Sequence, residues 1–294
     1  MSPLLTLLGC GGFAVGLLAA EPAAGQPRVS ASGHIRAWAG ELPIVLSSPH
    51  DGAERPAEIR DRTQGVTVRD THATALTEAI RAALHKRLGR NPHLIVCDLS
   101  RRKVDCNREI GEGAQGDVRA EQVWREYHAA IEEAERAVLA RARNGLYLDI
   151  HSHAHPRKRI ELGYLLTADD VRLPDGRLDA SVAARSSIRW LSQRTTAPFP
   201  ELLRGETSLG GLFAARGLPT IPSPREVLAA DDPYFTGAYD LVAHGSRDKS
   251  RLDAVQLEVP GPMRDTAAHR ATTAEAIAAA LEVYFERHFG MSLR

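Results

Sequence analysis

Three short stretches each end an apolar run on an ionisable side chain: Pro49-His50-Asp51-Gly52, the segment from Tyr147 to Ser152, and the segment from Ala254 to Pro260. The residues so presented are His50, His151 and Glu258. Two imidazoles and a carboxylate are the parts of a metal-and-base hydrolytic centre. A catalytic zinc takes three N or O ligands, keeps an open position for water, and works with a base that accepts the water's proton. In that chemistry His50 and His151 are ligands and Glu258 is the base.

Residue type alone leaves the third ligand open. Glu54 lies four residues past His50, and His72 is close by. Asp70 opens a helical pattern, where an aspartate also serves as an ordinary N-cap. The run His151-Ser152-His153-Ala154-His155 adds a further choice. If extended, it puts its three rings on one side, roughly 6–7 Å apart. His153 then either lines the cleft or forms an HxH metal pair with His151. Asp149, two residues before His151, is placed to orient a ring. The segment Ser100–Glu109 gathers Arg101, Arg102, Lys103 and Arg108. Asn107-Arg108 sets a planar guanidinium beside an amide, a suitable clamp for a substrate carboxylate. One further arginine would stabilise an oxyanion.

The elements that must position these groups alternate along the chain. Strand-length apolar runs occur at Pro43–Ser48, Leu94–Leu99, Leu146–His151, Glu161–Thr167, Pro219–Pro222 and Ala254–Val259. Helical periodicity marks Asp70–Leu88, Arg119–Arg143 and Thr272–His288. The pattern predicts an α/β fold: a mixed central sheet with helices on both faces, its ligands at the carboxyl ends of strands. Asp169–Asp179 reads as a polar excursion. Ala230–Ser250 reads as a long surface loop of the kind that forms a lid.

The stretches Ser48-Pro49-His50-Asp51-Gly52, Val104-Asp105-Cys106-Asn107-Arg108-Glu109, Glu126-Tyr127-His128, Leu148-Asp149-Ile150-His151-Ser152 and Gln256-Leu257-Glu258-Val259 resemble, in this order, the N-formylglutamate amidohydrolase family. They are more distantly similar to the zinc carboxypeptidases. The resemblance covers roughly residues 42 to 265 and implies a zinc-carboxypeptidase-like fold and hydrolysis of an amide C–N bond. It implies one zinc on His50, Asp70 and His151, with Glu258 as general base, and Asn107 and Arg108 on the substrate carboxylate. Arg101 or Arg102 polarises the scissile carbonyl, with Arg102 assigned to it. The carboxypeptidases pair His-x-x-Glu, and Glu54 is one residue too far for that. The amidohydrolases have an acid at the following helix start, which selects Asp70. Residues 161–245 match neither pattern. The expected substrate is an N-acyl amino acid bearing a carboxylate. A peptidase of γ-glutamyl or peptidoglycan bonds is the alternative, and a periplasmic metal-binding protein without turnover is another. Oxygen-rich ligation would also admit manganese or iron.

Composition bounds the rest. With 294 residues, 43% of them hydrophobic, the chain can bury a sizeable core,. Its net charge of +0 argues against a nucleic-acid partner, which calls for a basic face,. Leu4 to Ala20 is uncharged and mostly apolar, followed by Ala23-Ala24-Gly25. This reads as a signal peptide over residues 1–25, without a basic start, ahead of one catalytic domain at 26–294. The mature protein is then periplasmic or secreted and has no membrane span. Once Cys10 is removed, Cys97 and Cys106 either pair or remain buried thiols. No Cys-x-x-Cys spacing offers a thiolate zinc site.

Overall fold

The computed structural model describes residues 25–294 apart from Val227 and Lys249. Among them lie eight strands: β1 (Arg28–Val29), β2 (Ile35–Trp38), β3 (Ile44–Ser48), β4 (His93–Cys97), β5 (Gly145–His153), β6 (Ile160–Gly163), β7 (Thr220–Ile221) and β8 (Leu252–Pro260). They form one sheet in the order β1-β2-β4-β3-β5-β8-β6-β7. The central strands β4, β3, β5 and β8 are mutually parallel, while β2 and β6 join them antiparallel. Parallel strands buried on both faces require nearly unbroken apolar runs, which is why these were legible.

Ten α-helices accompany the strands among the described residues. They are α1 (Ala73–Leu88), α2 (Ile110–Ala114), α3 (Val118–Arg141), α4 (Ala168–Arg172), α5 (Ala180–Ala183), α6 (Arg189–Ser192), α7 (Phe199–Arg204), α8 (Leu209–Ala215), α9 (Tyr239–His244) and α10 (Ala267–Tyr284). Leu76, Ile80 and Leu84 of α1, with Ile277 and Leu281 of α10, pack on Leu46, Leu148 and Leu257. On the opposite face Val123, Tyr127, Ile131 and Val138 of α3 cover Val45, Tyr147 and Ala254. Helices thus flank both faces of a mixed sheet, as expected.

Strand parity decides which face carries the chemistry. Leu146, Leu148 and Ile150 of β5 point to the α1 side, so Tyr147, Asp149, His151 and His153 point to the α3 side,. In β8, Val255, Leu257 and Val259 likewise face α1, leaving Gln256 and Glu258 on the side of Ala254. The register sets His151 directly opposite Glu258.

Two expectations need correction. The stretch 230–250 is not one long loop, because α9 lies within it, with Asp240, Leu241 and His244 buried. Its burial rests partly on hydrogen-bonded polar side chains, which hydropathy does not register. The polar excursion at 169–179 carries α4 and a 3-10 turn, Asp175–Arg177. The segment read as a signal peptide and Cys10 lie outside the described residues. Among the described residues no helix is long and apolar enough to cross a membrane. Cys97 and Cys106 are free buried thiols with Sγ atoms 4.0 Å apart.

Candidate metal centre

His50 follows β3 on a loop that runs beside the end of β4. Glu54 N–H donates to the Asp98 carbonyl (3.0 Å) and Ser100 N–H to the Glu54 carbonyl (2.9 Å). A Cβ on Gly52 would overlap the backbone of Asp98 and Leu99. Gly52 is therefore required by close approach of two backbone segments rather than by a left-handed turn,. Asp70 precedes α1, and its backbone N–H donates to the His50 carbonyl (3.1 Å). It is not the helix cap. His72 stands at the cap in a left-handed conformation (φ 68°), and Asp51 accepts from Thr74 N–H (3.0 Å). The Asp70 carboxylate is thereby free to turn inward.

Inside, three donor atoms converge. His50 Nδ1 lies 3.2 Å from His151 Nδ1, which lies 3.0 Å from Asp70 Oδ2, and His50 Nδ1 is 3.7 Å from that oxygen. All three side chains are buried. A tetrahedral ion with bonds of about 2.0–2.1 Å holds its ligand atoms roughly 3.3–3.4 Å apart. The far nitrogen of each ring is occupied by a carboxylate. His50 Nε2 meets Asp105 Oδ1 at 2.7 Å, and His151 Nε2 meets Asp149 Oδ2 at 2.6 Å. Each carboxylate fixes the tautomer with its proton on Nε2, so both Nδ1 lone pairs face the Asp70 carboxylate. Lone pairs crowded in this way call for a cation between them, and the donor set fits zinc.

A proton on His151 Nδ1 meets the same demand for positive charge, because the surrounding carboxylates draw one onto that ring. Burial disfavours a charged His151, but Asp149, Asp70 and Glu258 outweigh it and hold the ring well above the usual histidine range. Burial likewise opposes charge on Asp70, yet hydrogen bonds from His151 and His50 keep its carboxyl well below the usual carboxylate range. Glu258 is pushed up to about 8, by burial first and then by Asp70, Glu161 and Asp149 against the pull of His151. A divalent cation among the ligands would cancel that repulsion and bring Glu258 down. Glu258 Oε1 accepts from Gln256 Nε2 (2.8 Å), while its Oε2 is buried without a partner. That oxygen is free to accept a hydrogen bond.

Of the predicted residues, His50, Asp70, His151, Asn107, Arg108 and Glu258 line one cleft of about 790 Å³. Arg102 does not. It stands half-exposed beside Asp61 (3.5 Å), whereas Arg101 reaches the cleft, donating to Asp105 (2.9 Å) and lying 3.7 Å from Asp70. Successive residues in the Arg101–Lys103 turn point apart, so only one of the two arginines can face inward. Asn107 also differs from expectation. Its Nδ2 donates to Asp149 (3.3 Å) and Gln256 (3.4 Å), and its Oδ1 accepts from Asp240 N–H (2.8 Å), so it braces the carboxylate behind His151. Arg108 donates to the Asn107 carbonyl (2.8 Å) and stays partly exposed at the cleft. Glu54 pairs with His34 outside the site. His153 spends Nε2 on the Arg159 carbonyl (2.9 Å) and Nδ1 on His155 N–H (3.1 Å). The nearby group His153, His155 and Glu161 therefore lacks a free third donor. Asp105 went without its own role in the sequence reading. Its signal was position, two residues before Asn107 in the same segment.

No family model and no curated protein matches the sequence. Among solved structures, N-formylglutamate amidohydrolase from Ralstonia eutropha JMP134 aligns over 88% of this chain and 99% of its own, with 18% identity and a TM-score of 0.55. A gene product of Agrobacterium tumefaciens aligns over 84% of this chain and 94% of its own, with 16% identity and a TM-score of 0.48. The chain thus shares the fold of the Ralstonia N-formylglutamate amidohydrolase structure along nearly the whole of that protein.

Proposed function

We propose that this protein is a metal-dependent amidohydrolase cleaving the C–N bond of an N-acyl amino acid that carries a free carboxylate. The observation that carries the reading is the convergence of His50 Nδ1, His151 Nδ1 and Asp70 Oδ2 beside an unpartnered Glu258 Oε2. The shared fold with an N-formylglutamate amidohydrolase supports it. His50, Asp70 and His151 would hold one zinc, with manganese or iron as substitutes for a site containing a carboxylate. A bound divalent metal supplies Lewis-acid chemistry, acidifying water and polarising a carbonyl.

The remaining work falls to side chains of this chain. Glu258 Oε2 accepts a proton from the attacking water and returns it to the leaving nitrogen. Arg101, beside Asp70, faces the developing oxyanion. Arg108 receives the substrate carboxylate through its planar donors. Asn107, Asp105 and Asp149 hold the ligand rings still. Export by the N-terminal apolar run belongs to the same proposal, and N-terminal sequencing of the protein from its host would test it.

The test combines metal content with turnover of N-formylglutamate and related N-acyl amino acids. Wild type should carry about one metal per chain and His151→Ala should lose it. Glu258→Gln should keep the metal while losing roughly 10²–10⁴ in rate. A wild type that takes up no metal on reconstitution, or a Glu258→Gln variant with unimpaired turnover, would overturn the assignment.

A further inference from the structure

The cleft carries apolar shoulders that a formyl group would not use. Six large apolar side chains stay exposed among the described residues, and three of them, Val66 (50%), Val68 (71%) and Phe235 (36%), line this one cleft. Scattered exposed valines need no explanation, but a cluster at the mouth of a site does.

These side chains are held out rather than left loose. On one shoulder, Arg62 Nη1 donates to the Val66 carbonyl (2.9 Å) and to the Arg101 carbonyl (3.0 Å). Arg69 Nε donates to the Asp51 carbonyl (2.6 Å) and carboxylate (2.8 Å), and Asp70 follows directly. On the other shoulder, Phe235 N–H donates to Glu161 Oε2 (3.0 Å), and its ring stacks on His155 at 4.6 Å and 7°. Leu165 N–H fixes the next residue through the Thr236 carbonyl (2.6 Å). Leu165 and Val242 continue the apolar lining inward. The volume, about 790 Å³, is in the range that encloses a drug-sized ligand,.

We infer that the substrate carries an extended apolar acyl group, seated between Val66, Val68 and Phe235, next to the amide that is cut. The inference rests on the amidohydrolase reading and narrows it to N-acyl amino acids with a hydrocarbon chain. Each methylene held in an apolar pocket is worth about tenfold or more in discrimination, so even partial burial of such a chain should dominate selectivity.

The experiment compares N-octanoylglutamate with N-formylglutamate in kcat/KM on the zinc-reconstituted full chain. Calorimetric binding of both to the Glu258→Gln variant gives a readout independent of turnover. Wild type should prefer the octanoyl compound by at least about tenfold. Val68→Asn and Phe235→Ala should each cut that ratio several-fold, while Val118→Asn, an exposed valine far along the chain on α3, should leave it in place. Turnover of the formyl compound alone, or variants that leave the ratio unchanged, would overturn the acyl-group inference and spare the hydrolase. Turnover of neither compound, with neither bound, would overturn both.

Discussion

At the scale of single residues, the candidate metal centre depends on two carboxylates that stand outside its ligand set. Asp105 and Asp149 each hold a ring nitrogen of a ligand histidine, and Ser47 Oγ donates to Asp149 Oδ1 (2.7 Å) to keep it in place. Replacing Asp149 by Asn preserves the shape but removes the charge that favours a proton on His151 Nε2. Asp149→Asn should therefore bind zinc about 10–100-fold more weakly, as read by competition with a chromogenic chelator. An unchanged affinity would mean that packing alone orients His151. His50, His151 and Glu258 were legible because each closes an apolar run. Asp70 was not legible from residue type, since aspartate before a helix is an ordinary cap, and the resemblance was needed to select it. Nothing in the sequence separates Arg101 from Arg102, because a turn rather than a periodic element orients them.

At the scale of elements, the loop after β3 and the strand β8 each hide a constraint. The Cβ of Gly52→Ala would collide with the backbone carrying Asp98 and Leu99, and neither side can yield without moving His50. Overpacking of this kind costs about 1–3 kcal/mol, so thermal unfolding of Gly52→Ala should begin several degrees earlier, with metal affinity reduced as well. On β8, Asp253 Oδ1 accepts from Ser246 Oγ (2.6 Å) and Leu191 N–H (3.2 Å), while Oδ2 has no partner. Burial pushes its carboxyl up to about 7, against an ordinary value of 3.8. The folded chain therefore keeps this proton where the unfolded chain has lost it. The resulting stabilisation is complete below about pH 4 and disappears as pH rises through 7. Asp253→Asn has no such proton, so wild type should lose roughly 2–3 kcal/mol relative to it between pH 5 and pH 8. Denaturant titrations at the two pH values would show this, and a constant difference between the proteins would contradict it. The central strands were readable because burial on both faces enforces unbroken apolar runs. The short strands β1 and β2 at one end of the sheet and the short helices α4 to α9 were not, since elements of two to seven residues show too little periodicity.

At the scale of the whole molecule, the candidate ligands tie the ends of β3 and β5 to the start of α1, so an ion held there should brace the folded state. Free zinc at about a hundredfold above its dissociation constant should add roughly 2.7 kcal/mol, raising the unfolding temperature by several degrees over a chelated sample. Scanning calorimetry with and without chelator would reveal it, and coincident transitions would argue against a metal at this position. The place of β8 in the sheet has a further consequence, one of timing. Strand β8 comes last in the chain yet lies between β5 and β6. Until Leu252–Pro260 emerges, β5 keeps a bare edge and the β6–β7 pair has no sheet to join. The three candidate ligand side chains all precede residue 152, on neighbouring elements. In a growing chain the pocket for an ion can thus assemble well before Glu258 arrives, so on the proposed function metal loading can precede turnover.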